Sequence, residues 1–298
     1  MNIQWVPIIG KFDIQENDLI FTPEITEPLG PGLIPFGVVK CNQYFENGTI
    51  SFDAQIGEET CCAQVVLNHQ TAEQIFVGLN VMKTPYGIAS LASGKWRAIN
   101  LAGFGTVLRK DDWIPVTIKV TGAAVKLSIH GVVISQAELN IVDSQIGLFA
   151  QGKSYVHFRN VKMDKTSQTA FVIMQFSPEF DDLYREVIKP TCEAFGYTVK
   201  RADDMYTSNL IIQDITRSIS EASLVIADVT PNNPNVYYEI GYSHAIRKKT
   251  VMLCDKKRES LPFDIAANRT IFYDNSIGGK TRVEEKLRKH LDNLRGEQ

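Results

Sequence analysis

The stretch ASLVIADVTPNNPNVYYEIGYSHA, residues 222–245, decides the fold class of the second half of the chain. It opens with Leu224-Val225-Ile226-Ala227, a short unbroken apolar run of the kind found in strands covered on both faces, as in a parallel sheet. Asp228 ends that run, and a loop leads to Asn233-Pro234, an N-cap residue before a proline suited to the first helical position. The remainder reads as a helix over residues 234–247. A helix that starts where a strand ends brings its positive dipole end to the mouth of a ligand crevice.

The same grammar extends to both sides. Phe171-Val172-Ile173-Met174 is a second apolar run. Helical patterns follow at residues 178–195, 209–221 and 281–294, with strands at 197–200, 250–254 and 270–273. Alternation of this kind predicts a doubly wound parallel sheet in an α/β domain over residues 170–298. Ligands of open α/β sheets bind outside the carboxyl ends of the strands. The residues expected to contact a ligand there are Gln175, Phe176 and Ser177 after the first strand, Asp203 after the second, and Asp228, Asn233, Asn235 and Tyr238 after the third.

Glu239 lies early in the helix among Val236, Tyr237, Tyr238, Ile240 and Tyr242. A carboxylate in that setting is a surface group, one half of an ion pair, or a group that attacks or stabilises the anomeric carbon of a ribose, where an oxocarbenium-like transition state favours a fixed negative charge. Gly241 and Ser243 would let this helix approach the sheet closely. Asp214 sits beside the stripe Ile211, Ile215, Ile219 and Ala222, either as an ordinary solvated residue or as a second acid of the site.

On the strand-end Asp228, the loop, and Glu239-Ile240-Gly241-Tyr242-Ser243, residues 170 to about 275 resemble the nucleoside 2-deoxyribosyltransferase superfamily and its TIR-like, nucleotide-binding relatives. The resemblance implies that Glu239 is the catalytic nucleophile, and that Asp214 orients the sugar or exchanges a proton with the base. It implies a nucleoside, nucleotide or NAD as substrate, with no separate cofactor. The acid that the transferases carry a few residues before the Glu is replaced by Asn232-Asn233, which counts against base exchange; hydrolysis, transfer to another base and nucleotide binding without catalysis all stay open.

Residues 1–165 follow another period. Ile50-Ser51-Phe52-Asp53-Ala54-Gln55-Ile56 and Val116-Thr117-Ile118-Lys119-Val120 alternate apolar and polar, as half-buried antiparallel strands do. Turn signals at Glu46-Asn47-Gly48, Ser93-Gly94, Thr121-Gly122, His130-Gly131 and Gln151-Gly152 separate such runs. An all-β jelly-roll sandwich is expected, joined to the α/β domain by a polar linker over residues 166–169. The order of runs FENGTISFDAQI, IFVGLNV, DDWIPVTIKVTGAAVKLSIHGVVI and QIGLFAQGKSYVHFRNVKM resembles the concanavalin-like, laminin-G-like jelly rolls. That resemblance implies a binding or regulatory domain whose partner is a glycan or a protein. Asp53, Glu58 and Glu59 do not form the alternating acidic set that glycan-hydrolysing relatives carry. Trp5, Trp96, Tyr86 and Tyr155 are candidates to stack on a sugar.

The chain is 298 residues long with a formal net charge of -3, which provides no basic footprint for nucleic acid. Neither a signal peptide nor a membrane span is evident, so the expected location is cytoplasmic, with self-association left open. Five cysteines, two of them adjacent at Cys61 and Cys62, read as reduced thiols, and the five histidines lack metal-ligand spacing. Gly278-Gly279-Lys280-Thr281 ends like a P-loop but lacks its upstream glycine, and Lys256-Lys257-Arg258 reads as a solvated loop.

Overall fold

The structure, a computed structural model, describes residues 3–16, 18–24, 34–204, 211–258, 260–266 and 269–296. Two compact units divide the chain between Thr166 and Ser167, residues 121–123 being counted with the second.

The first unit is a jelly-roll β-sandwich. Its strands are β1 (Trp5–Ile9), β2 (Lys11–Gln15), β3 (Asp18–Thr22), β4 (Phe36–Phe45), β5 (Gly48–Ile56), β6 (Cys62–Leu67) and β7 (Glu73–Val81). They continue with β8 (Thr84–Ala92), β9 (Lys95–Ala102), β10 (Ile114–Thr121), β11 (Ala124–Ile129), β12 (Val132–Glu138), β13 (Ser144–Gln151) and β14 (Val156–Lys165). One sheet runs β1-β4-β13-β6-β7-β8-β9 and the other β12-β11-β10-β5-β14-β3-β2. The alternation read in β5 holds: Ile50, Phe52, Ala54 and Ile56 enter the core while Ser51, Asp53 and Gln55 are only partly buried. Alternate burial is what one face on a core and one face toward water requires. Trp5 is 7% exposed and joins this core, so the sugar-stacking role considered for it is corrected.

The second unit carries five parallel strands, β15 (Thr169–Ile173), β16 (Thr198–Arg201), β17 (Leu224–Asp228), β18 (Thr250–Asp255) and β19 (Thr270–Tyr273), in the order β16-β15-β17-β18-β19. Thr169 already pairs with Thr198, so the connection between β14 and β15 is shorter than the linker expected from composition. The helices are α1 (Pro178–Leu183), α2 (Lys189–Ala194), α3 (Ile211–Glu221), α4 (Pro234–Ala245), α5 (Phe263–Ala266) and α6 (Ile277–Gly296). Residues alternating along β15, β17 and β18 separate into two apolar clusters. Val172, Ile226 and Leu253 pack with Val187 and Ile188, with Cys192 of α2 and with Leu287 of α6. Phe171, Val225, Ala227 and Met252 pack with Ile219 of α3, Ile240 of α4 and Ile265 of α5.

Two departures from the sequence reading have local causes. The helix expected over residues 178–195 is interrupted by a π-helical turn, Tyr184–Ile188, in which the Lys189 N–H reaches back to the Tyr184 carbonyl. Pro190 explains it, having no N–H to donate and a ring that crowds the carbonyl four residues earlier. Helix α3 is described from Ile211; Asn209 and Leu210, placed in it from sequence, lie outside the described residues. Helix α6 begins earlier than expected, at Ile277, and takes in the P-loop-like glycines. A Cβ on Gly279 would stand 1.9 Å from the Asp274 carbonyl oxygen, so the glycine is required by close packing of backbone.

Candidate functional site

Parallel pairing brings the strand ends to one edge: Val172 lies opposite Arg201, Ile173 opposite Ala227, Asp228 opposite Leu253 and Asp255 opposite Tyr273. Helix α4 starts beyond the end of β17. Asn233 caps it, its side-chain oxygen accepting from the Asn235 N–H at 3.0 Å, and Pro234 fills the first helical position. These caps hold the helix start at the edge where its free N–H groups favour negative charge.

Val236, Ile240 and Ser243 form the buried seam of α4. At 100° per residue, Glu239 falls about 60° from Val236, on the flank of that seam. Its carboxyl is partly buried and takes no hydrogen-bond or ion-pair partner among the described residues. Burial alone pushes its pKa up to about 7. Of the readings open from sequence, an ion pair is not seen for this side chain among the described residues. Tyr238 is 56% exposed and Asn235 is exposed, both near the same helix start. Ser243 packs closely as expected, its hydroxyl donating to the Ile240 carbonyl at 2.8 Å and lying 3.1 Å from Thr250 Oγ1. Gly241 does not: it is exposed, with open space where a Cβ would stand, which corrects the close-approach role assigned to it.

Helix α3 neighbours α4 and shares its apolar cluster. Asp214, in the first turn of α3, is 6% exposed and lies 3.6 Å from Arg217. The solvated reading of Asp214 is thus excluded by its burial. The two acids sit on adjacent helices, with no hydrogen bond or ion pair to Glu239.

Gln175 and Ser177 are half-buried and Phe176 is 54% exposed after β15, where the Ser177 carbonyl accepts from Phe180 and Asp181 at the start of α1. Asp203 is committed to Arg201: Nε donates to Oδ1 at 2.6 Å and Nη2 to Oδ2 at 2.5 Å. Arg201 is 3% exposed, pairs also with Asp181 at 2.7 Å, and holds its guanidinium 4.3 Å above the Tyr184 ring and 5.3 Å from Phe176. A bidentate carboxylate, a second acid and an aromatic face are what a buried guanidinium needs. Nothing in the sequence marks Arg201 as buried, because its partners come from three separate segments.

Asp228 is fully buried. Its Oδ1 accepts from the Thr230 N–H and its Oδ2 from the Tyr273 hydroxyl, each at 2.9 Å. Burial pushes its pKa up to about 6 against those bonds. The expected ligand contact by Asp228 is corrected to a bracing role, since the carboxylate is enclosed by its own loop. Arg258 completes the brace. It donates to the Val229 carbonyl and, at 2.6 Å, to the Tyr237 hydroxyl, while its Nε holds the Ser260 carbonyl at 2.8 Å. Lys256 and Lys257 are exposed, but Arg258 is not the solvated residue expected.

On the sandwich, an aromatic row crosses the β1-to-β9 sheet on the face opposite the core. Phe36 and Phe149 have ring centroids 6.0 Å apart, Phe149 and Phe76 5.5 Å, and Phe76 and Trp96 4.6 Å. Phe36 and Trp96, at its two ends, are exposed. Asp53 is held by Arg159 at 3.1 Å and Asn160 at 2.9 Å, a structural assignment for that acid.

Among solved structures the chain is similar to a carbohydrate-binding module from Bacillus subtilis, with 11% identity, 54% of this chain and 95% of that chain covered, and a TM-score of 0.43. A Bacillus subtilis protein with a galectin-like fold follows at 12%, 54%, 89% and 0.41. A prokaryotic β-1,3-1,4-glucanase (lichenase) from a mouse hindgut metagenome stands at 10%, 54%, 93% and 0.40. No protein-family model and no curated protein matches the sequence. Among the described residues no helix is long and apolar enough to cross a membrane, and no group of three or more His, Cys, Asp or Glu side chains is placed to hold a metal ion.

Proposed function

We propose that the C-terminal unit is a doubly wound α/β domain that breaks the N-glycosidic bond of a nucleoside, nucleotide or NAD, and that the sandwich is a glycan-binding module attached to it. The observation that carries the first part is Glu239: a partly buried carboxyl, without a partner among the described residues, beside the helix start at the carboxyl edge of the sheet. A purely structural acid in that position would be paired. In the proposed reaction a Glu239 oxygen bonds to C1′ as the C1′–N bond breaks and its electron pair leaves with the base. Water then attacks C1′, loses a proton to solvent and releases the carboxylate. Asp214 orients the sugar from α3; Gln175, Phe176, Ser177, Asn233, Asn235 and Tyr238 line the approach; Asp203 and Asp228 act through the loops they brace. The aromatic row ending at Trp96 favours the glycan reading of the sandwich, because flat apolar rings suit the C–H faces of sugars.

Purified protein and its Glu239→Gln variant are incubated with NAD and a panel of nucleosides and nucleotides, and released base is followed by chromatography. Base release by the parent and at least a hundredfold loss in the variant are expected. A thermal shift with nucleotide but no turnover in either protein would instead favour a TIR-like module that binds nucleotide without cleaving it.

A further inference from the structure

A cavity lies in the sandwich, lined by residues outside the aromatic row. Tyr86 of β8, Arg109, Asp112 and Trp113 ahead of β10, and His130 of the β11–β12 turn line a cavity of about 440 Å³. That volume falls in the range of small-molecule sites, roughly 300–1,000 Å³. The hydroxyl of Tyr86 and the charged or ring groups of Arg109, Asp112 and His130 have no side-chain hydrogen-bond or ion-pair partner among the described residues. Four polar groups thus border one space, three of them exposed and available to a ligand in exchange for water.

The segment that carries Arg109 and Asp112 is held firmly. Asp111, with φ 64, is tied at three points: its N–H donates to the Ile56 carbonyl at 2.8 Å, its carbonyl accepts from Gln55 at 2.7 Å, and its carboxylate accepts from Tyr155 at 2.7 Å. The Trp113 ring is fixed by the Arg159 guanidinium, 3.5 Å from its centroid, and by the edge of His157 at 4.9 Å. The His130 N–H donates to the Pro115 carbonyl at 3.1 Å. Backbone held in place before binding loses little entropy when a ligand arrives, so Asp111 and Trp113 give the neighbouring Arg109 and Asp112 a preset frame.

The bonding repertoire selects the class of ligand. Arg109 only donates, Asp112 only accepts, and Tyr86 and His130 do either. Sugar hydroxyls also do both at once, so neighbouring hydroxyls on a ring satisfy a mixed set of this kind. Arg109 and Asp112 are opposite in charge, which favours neither an acidic nor a basic ligand, while the half-buried Trp113 ring adds a flat surface for C–H groups in a lining that is otherwise mainly polar. The geometry points to a site for the terminal residue of a neutral saccharide in this cavity, an assignment that rests on reading the sandwich as a glycan-binding module and moves its specific contact from the aromatic row to the loop end.

The test is calorimetric titration of the full chain with glucose, galactose, mannose, fructose and their disaccharides, with glucuronate and glucosamine as charged counterparts. Arg109→Ala, Asp112→Ala and Trp96→Ala are measured beside the parent; Arg109 and Asp112 are exposed and have no side-chain partner among the described residues, so their variants keep the parent melting temperature. A neutral sugar is expected to bind the parent, and each cavity variant to bind it about tenfold or more weaker, as loss of a hydrogen bond to a charged group implies, with a smaller loss in Trp96→Ala. Binding lost in Trp96→Ala and kept in both cavity variants overturns the site while leaving the module reading intact. Preference for a charged sugar overturns the ligand class. No binding of any sugar by the parent overturns the site and the module reading together.

Discussion

Replacing Glu239 by Gln should make the α/β domain more stable at alkaline pH and leave it unchanged under acid conditions. Burial raises this carboxyl from its ordinary 4.5 to about 7. The folded state therefore holds the proton more tightly than the unfolded chain does. Stability is at its full value below pH 4.5, falls as pH rises through the interval to about 7, and stays at the reduced level above it. Taken whole, the interval corresponds to about 3 kcal/mol; partial exposure of the side chain reduces this to about 1–2 kcal/mol. Glutamine keeps the shape without the charge, so Glu239→Gln should recover that amount at pH 8 and nothing at pH 4. Urea unfolding followed by far-ultraviolet circular dichroism at 222 nm reports this domain, since every helix among the described residues lies in it. Trp5, Trp96 and Trp113 all lie in the sandwich, so their fluorescence serves as an internal control. Equal offsets between the two proteins at pH 4 and pH 8 would refute the reasoning, because they would mean that the carboxyl ionises in the folded state as freely as in water.

Two further outcomes follow from the same site. In the proposed reaction the attacking form of Glu239 is the ionised one, so base release should increase with pH through about 7 and then level off; a rate that falls over that interval would assign the group to proton donation instead. Arg258→Ala removes the donor that joins the Val229 carbonyl to the Tyr237 hydroxyl, and should destabilise the α/β domain by about 2–3 kcal/mol in urea titrations while lowering kcat more than it raises KM.

The sequence made the layers readable for a simple reason: one-sided burial imposes period two on β5, and two-sided burial imposes a solid apolar run on β17, and both are local properties. The helix start at Asn233-Pro234 was equally local. What could not be read depends on partners distant along the chain. The β7–β8 hairpin turns at Met82 and Lys83, both with positive φ and neither a glycine, so no turn signal announces it. Arg201 meets Asp181, and Arg258 meets Val229 and Tyr237, only through the strand order β16-β15-β17-β18. The aromatic row draws on β4, β13, β7 and β9, and the cavity on β8, the segment before β10 and the β11–β12 turn. Within the candidate site, the identity of Glu239 was legible as an acid in apolar company, whereas its lack of a partner was not, since that is a statement about every neighbour in space.

The five thiols open a way to watch each half of the molecule separately. Cys41, Cys61, Cys192 and Cys254 are buried and Cys62 is half-buried, all free, and burial pushes Cys62 and Cys192 up to about 12 and Cys254 to about 11. Alkylating reagents act on the thiolate, so the native chain is shielded twice, by access and by protonation. Cys192 belongs to the apolar cluster on one face of the parallel sheet and Cys254 to the cluster on the other. Timed alkylation with peptide mapping would thus record which face of the α/β domain breathes first, and whether filling the crevice slows both or one alone.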